Sequence, residues 1–350
     1  MKAWLLLSGL GIACVSSRAQ PSHEATVAGA NPPAARVAPK STEGLVVFTG
    51  MCDASGAVPL SRDRFTVADD EDNVLRIYDA EVGGPPLSAR DISRELGLTE
   101  RKRRKTGEPK PAPEVDIEAA TRVGDLAFWL TSHGRDSSGR VRQERLRFFA
   151  TTLPRGDSGP IVVGKVRTDL LDPLFTDSRY ATFELAAAAR LPPKSAGGLN
   201  LEGLTERRDG GVWIGFRSPT PEQKALLAPL LNPVEVTAGA APNFGDPRLL
   251  DLGGLGVRGL SYWRGQYLIL AGHHAGGKTS KLYTWDGDHQ PREERELGVD
   301  GFNPEGFFTP EDRDTFMILS DDGTRPIGGI ECKRLEESSQ KSFRGLWLRL

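Results

Sequence analysis

Short apolar runs alternate with polar turns five times along this chain, and each repeat has the length of a β-hairpin. Within a repeat, an apolar run leads to a turn and then to a second run rich in β-branched and aromatic residues. The turns are Ser61-Arg62-Asp63, Val123-Gly124-Asp125, Arg208-Asp209-Gly210, Trp263-Arg264-Gly265 and Glu311-Asp312-Arg313. Two strand-like runs around such a turn predict a hairpin. A charged residue near the start of each repeat is answered by a charged or imidazole residue 15 or 16 positions later. The pairs are Asp53 and Asp69, Glu118 and His133, Glu202 and Arg217, Arg258 and His273, and Glu305 and Asp321. A strand rises about 3.3 Å per residue, so an outward and a return strand of similar length bring both members of a pair to one rim. Repetition on this scale predicts an all-β chain folded as a β-propeller, five-bladed by this count and six-bladed if an insertion hides another unit.

Other segments fill out the blades. Outer strands are expected at Val74 to Tyr78, Arg145 to Ala150 with Ile161 to Val166, Leu249 to Leu252, Lys281 to Trp285 and Ile330 to Leu335. Leu45 to Phe48 and Gly345 to Leu348 are strand-like at opposite ends, and pairing them within one blade would remove exposed edges. Two stretches break the β pattern, Asp169 to Arg190 and Pro221 to Leu231, and both are helix-like insertions. The run Arg101 to Lys105 reads as a solvated basic loop.

The N-terminus adds a compartment. One lysine, an apolar stretch from Trp4 to Val15 and small residues before Ala19 predict a secretory signal over 1–19. A lipid anchor on Cys14 is the alternative and the one route to a membrane. Residues 20–42, rich in Ala, Pro, Ser and Thr, read as a flexible tether to a propeller domain over 43–350. Cys52 and Cys332 remain after processing, and either pair in an oxidising compartment or pack as separate thiols. Net charge of −2 and a pI near 6.3 offer no basic field for nucleic acid, so the expected partner is a small polar or anionic ligand bound by a monomer.

The candidate chemistry is the crowd of charges on one rim, where the paired residues are joined by Asp70, Glu71, Asp72, His274 and Asp322. Three readings stay open. The carboxylates pair internally with Arg217 and Arg258; or Glu118, Glu202 and Glu305 hold a divalent cation, calcium or magnesium; or Arg135, Arg217, Arg258, Asp69 and Asp321 bind a polar ligand directly. His133 or His273 would move a proton in an enzyme reading. Zinc is disfavoured, since the histidines lack its usual ligand spacing. Gly156-Asp157-Ser158-Gly159 lacks the context of a serine-protease loop, Arg155-Gly156-Asp157 is too short to carry an adhesion function, and nucleotide-binding fingerprints are missing.

Longer segments carry a family likeness. Cys52 to Ser55, Ala68 to Arg76, Asp116 to Ala120, Ser132 to Arg135, Leu199 to Leu204, Ser320 to Gly323, Gly329 to Lys333 and Phe343 to Trp347 resemble the bacterial family known as domain of unknown function 3616. That resemblance implies membership over residues 45 to 350 but no particular activity. Asn303-Pro304-Glu305-Gly306 and Asn200-Leu201-Glu202-Gly203 are similar, over a shorter span, to phytase-like esterase propellers. The expectation is therefore an exported propeller whose channel mouth binds a polar ligand with a divalent cation and hydrolyses an ester or phosphoester. The alternative is a non-catalytic binding or interaction module of the cell envelope.

Overall fold

All five predicted hairpins are present, each widened by two further strands into an antiparallel four-stranded blade. The computed structural model describes residues 44–98, 112–154, 158–277, 279–297 and 301–350. The expected export signal with Cys14, the tether at 20–42, the basic run Arg101 to Lys105 and the tripeptide Arg155-Gly156-Asp157 lie outside the described residues.

Strand β1 (Leu45–Thr49) serves the last blade. The first blade holds β2 (Ala54–Pro59), β3 (Arg64–Asp69), β4 (Val74–Asp79) and β5 (Ser88–Asp91). The second holds β6 (Ile117–Val123), β7 (Leu126–Thr131), β8 (Phe148–Thr152) and β9 (Val162–Arg167). The third holds β10 (Asn200–Glu206), β11 (Val212–Ser218), β12 (Ala225–Leu230) and β13 (Arg248–Leu250). The fourth holds β14 (Gly256–Trp263), β15 (Gln266–Gly272), β16 (Ser280–Trp285) and β17 (Arg292–Glu296). In the fifth, β18 (Pro304–Phe308) and β19 (Phe316–Ser320) are followed by a side hairpin of β20 (Pro326–Ile327) and β21 (Ile330–Glu331), then by β22 (Ser342–Leu348) and β1. Successive first strands stand side by side, from β2 through β6, β10, β14 and β18 and back to β2. The chain is a five-bladed β-propeller.

The ends close the ring as the sequence predicts. β1 pairs with β22, Leu45 opposite Leu346 and Thr49 opposite Ser342. Phe48, Phe65, Tyr78, Phe308 and Phe343 fill this seam, with Phe48 stacked on Phe343 at 4.8 Å and Phe65 on Phe308 at 5.0 Å. Cys52 and Cys332 are bonded, with Cα atoms 5.9 Å apart, and so tie the approach to β2 to the excursion between β19 and β22.

Three expected elements differ. Pro221 to Leu231 is a 3-10 turn (Pro221–Gln223) and then β12, not a helix. Every residue of β12 is buried, and a strand covered on both faces is a continuous apolar run that periodicity does not separate from a buried helix. The true helix follows as α2 (Pro233–Ala238), numbered after the single turn α1 (Leu185–Ala188). Asp169 to Arg190 is helical only in short pieces, two 3-10 turns and α1. Its Leu170, Leu171, Leu174, Tyr180 and Leu185 pack on the apolar face shared by the second and third blades, so it hides no sixth unit. Ile330 to Leu335 is not an outer strand. Gly328 and Gly329, both at positive φ, turn the chain into the β20–β21 hairpin, and β22 and β1 take the outer places.

Candidate functional site

Every innermost strand breaks register towards the centre, β10 twice in succession, at Asn200/Leu201 and Leu201/Gly203. Glu118 is skipped between the pairs Ile117–Thr131 and Ala119–Leu130, Glu202 between Leu201–Phe216 and Gly203–Gly215, and Arg258 between Val257–Ala271 and Gly259–Leu270. Glu305 is skipped between Pro304–Ser320 and Gly306–Leu319, while in the first blade the break falls across Ser55 and Gly56. A β-bulge of this kind bends the strand and re-aims a side chain. A small residue follows each: Gly56, Ala119, Gly203, Gly259 and Gly306. A Cβ on Gly56 would collide with the Ala119 backbone, one on Gly259 with the Glu305 carbonyl, and one on Gly306 with the Ser55 carbonyl. Neighbouring strands therefore touch backbone to backbone, which draws the bulged side chains together.

The charges that meet are unequal in their partners. Arg217 Nη1 lies 2.5 Å from Glu202 Oε1, and Asn200 Nδ2 donates to the same oxygen at 2.7 Å. Arg258 Nη2 lies 2.8 Å from Glu305 Oε1, its Nη1 donates to Asn303 Oδ1 at 2.7 Å, and its Nε stands 3.6 Å from Glu202 Oε2. Asp116 pairs with Arg145 at 2.9 Å. Asp69 accepts the amides of Glu71 and Cys52, and Asp321 accepts from Asn303 and the Gly323 amide. Glu118 is only 8% exposed and has no hydrogen bond or ion pair among the described residues. Asp70 Oδ1 and Glu202 Oε2 are buried without a hydrogen-bond partner among the described residues.

The carboxylates form a linked series. One oxygen each from Glu118, Glu202 and Glu305 lie within 4.8 Å of one another, as do those of Asp70, Asp116 and Glu118, and those of Asp53, Asp69 and Asp70. Two full charges at that separation repel by roughly 3 kcal/mol at an effective dielectric of 20. Without a cation, protons relieve the crowd. Burial, then the charge of Glu202, pushes Glu118 well above the usual carboxylate range, and burial with the charge of Glu118 does the same to Asp70. Burial raises Glu305 to about 8 despite Arg258, Asp69 to about 7, and Asp116 to about 6 despite Arg145. Asp53, raised to about 10 by burial and by Asp69 and Asp321, hydrogen-bonds to Asp321. Burial works against the ionised form of Asp321, yet that bond and the Gly323 amide hold it low.

The other predicted residues stand apart from this series. The His133 ring is buried, with Nδ1 2.9 Å from the Thr131 carbonyl, which makes Nδ1 the donor; burial lowers its pKa to about 4. His273 is exposed and meets the site through its backbone carbonyl, which accepts from Arg217 Nε and Nη2 at 3.3 and 3.1 Å. Arg135 binds the carbonyls of Ala189 and Gly139 instead of facing the carboxylates. With His133 it lines a cavity of about 140 Å³ beside the helical insertion, and none of the clustered carboxylates reaches that cavity. Glu71 pairs with Lys333, Asp72 with Arg76, and Asp322 with Arg344 and Arg325. Sequence spacing overlooked Asp116, Arg145, Asn200 and Asn303, and took Asp53 as the first blade's rim residue where the bulge presents Ser55.

No family model matches the chain, and no curated protein matches it either. Among solved structures it is similar to the PQQ-bound aldose sugar dehydrogenase of Streptomyces coelicolor, at 11% identity over 87% of this chain and 98% of that one, with a TM-score of 0.40. It is also similar to the glutaminyl cyclase of Myxococcus xanthus, at 9% identity over 87% and 95%, with a TM-score of 0.43. An exo-β-1,3-galactanase from Clostridium thermocellum aligns at 11% identity over 88% of this chain and 63% of its own length, with a TM-score of 0.43. Likeness at such identities concerns the fold and transfers no chemistry.

Proposed function

We propose that the centre of the propeller holds a divalent cation on Glu118, Glu202 and Glu305, and that the protein uses it to bind and hydrolyse a small anionic ester or phosphoester. The observation that carries this reading is the convergence of the three glutamates within 4.8 Å while Glu118 forms no hydrogen bond or ion pair among the described residues. A buried carboxylate of that kind demands either a proton or a cation. Three oxygens no more than 4.8 Å apart leave a central point about 2.8 Å or less from each, a range that includes the 2.3–2.6 Å of calcium coordination. Calcium, which tolerates flexible all-oxygen coordination, suits such a site. The cation would supply charge neutralisation and polarise a bound oxygen. Arg217 and Arg258 brace the glutamates. Neither histidine is placed to carry a proton there, since the His133 ring is held on the Thr131 carbonyl and His273 meets the site through its backbone carbonyl.

Membership of the domain of unknown function 3616 family is part of the proposal, since its resembling segments contain Ser55, Asp70, Asp116, Glu118 and Glu202. Export is another part, supported by the Cys52–Cys332 bond, which suits an oxidising compartment. The engagement of both arginines favours a second reading, binding without turnover, because neither guanidinium is left free for a ligand. Calorimetric titration with calcium, followed by assays of p-nitrophenyl phosphate and p-nitrophenyl acetate with and without chelator, separates the two. Calcium binding with chelator-sensitive turnover supports the enzyme, and binding with no turnover supports the module. No calcium binding at millimolar concentration would remove the cation from both.

A further inference from the structure

We infer that the site holds two cations, not one, and that Glu118 bridges them; this rests on the reading just proposed. The second position is bounded by Asp70, Asp116 and Glu118, whose oxygens also lie within 4.8 Å of one another. Acidic neighbours alone would not make a site, but two independent features point to an absent positive partner. Glu118 is more than nine-tenths buried, is aimed into both triads, and has no hydrogen bond or ion pair among the described residues. Asp70 Oδ1 is likewise buried and without a hydrogen-bond partner among the described residues. The third acidic triad differs, because Asp69 is satisfied by two amides and Asp53 by Asp321.

Charge and spacing point to the ligand class. Asp70, Asp116, Glu118, Glu202 and Glu305 face Arg145, Arg217 and Arg258, with Arg145 shared by Glu114 and with Asp69 and Asp53 adjoining Asp70, so negative charge is in excess by more than one divalent ion cancels. Two ions offer an anionic group such as a phosphate monoester, carrying about −1.5 to −2 at neutral pH, a cationic seat. A shared carboxylate sets paired cations about 3.5–4 Å apart, a spacing that one phosphoryl group spans. The class of ligand is thus a phosphate monoester bound across both ions.

Manganese, a spectroscopic stand-in for calcium at oxygen sites, tests this with the whole chain. Metal content is measured after gel filtration, and paramagnetic resonance reports whether the ions are exchange-coupled. Two manganese ions per chain with a coupled signal are expected for the unaltered protein, falling to one uncoupled ion in Asp70→Asn. Asp70 makes no hydrogen bond or ion pair among the described residues for the substitution to break, and a thermal unfolding trace checks that the variant folds. One ion per chain, unchanged by Asp70→Asn, would overturn the pair and leave the single-cation site standing. Two ions without coupling in the unaltered protein would overturn the bridge whether or not the variant folds. No bound ion at all would defeat this inference and the proposed function together.

Discussion

Glu118 shows why charge at this centre cannot be treated as surface charge. Burial and its acidic neighbours hold a proton on it when no cation is bound, and glutamine resembles that protonated form. Glu118→Gln is therefore expected to change metal-free stability by no more than about 1 kcal/mol while abolishing calcium stabilisation. For the unaltered protein that stabilisation is about 2.7 kcal/mol at a hundred times the dissociation constant. Thermal unfolding with and without calcium checks both halves, and an unchanged calcium response in the variant would count against Glu118. Acidity gives a second test. Groups whose folded pKa is raised keep protons that the unfolded chain has released, so the stability they lend at low pH is lost as pH climbs through the folded values. With Asp69 near 7 and Glu305 near 8, metal-free stability should fall from pH 6.5 to 8.5, and calcium should flatten the decline. His133 opposes this only between about 4 and its ordinary 6.5, outside the chosen window. Urea midpoints at several pH values measure the slope, and a rise would contradict the protonation scheme.

Among the elements, the innermost strands depend on glycine as much as on hydrogen bonds. Gly259→Ala would push a methyl group into the Glu305 carbonyl, and a loss of more than about 2 kcal/mol in unfolding free energy is expected. A neutral effect, measured by urea unfolding, would show that the strands have room to separate. The hairpins were legible because each sets apolar runs on either side of a polar turn, and three of the five turns hold positive φ, at Gly124, Gly210 and Arg264-Gly265. β5 (Ser88–Asp91) and β17 (Arg292–Glu296) were not, since strands at the blade edge are polar along most of their length and carry no alternation. The site was legible in part. Charge spacing found Glu118, Glu202, Arg258 and Glu305 but missed the small residue after each, which would have aligned Ser55-Gly56 with Glu202-Gly203 and Glu305-Gly306. It also placed His133 beside Glu118 and His273 beside Arg258, although both histidines follow their strands. His133 adopts a left-handed backbone that leaves its ring bonded to Thr131, away from the carboxylates.

On the scale of the whole molecule, closure depends on pairing chain ends that are far apart in sequence. The Cys52–Cys332 bond spans 280 residues of chain, and removing it with a double serine substitution should cost about 3 to 5 kcal/mol in guanidinium unfolding. A cost below about 1 kcal/mol would mean that the β1–β22 pairing and its aromatic seam hold the ring without it. The same bond anchors Cys52 beside Asp69 and Asp322, so closure and the acidic centre share a scaffold. Whether that centre is a cation site is decided most directly by anomalous diffraction from crystals soaked in manganese. A peak bounded by oxygens of Glu118, Glu202 and Glu305 is the expected result. A map with peaks only at surface carboxylates such as Asp246 or Asp286, and none at the centre, would contradict it.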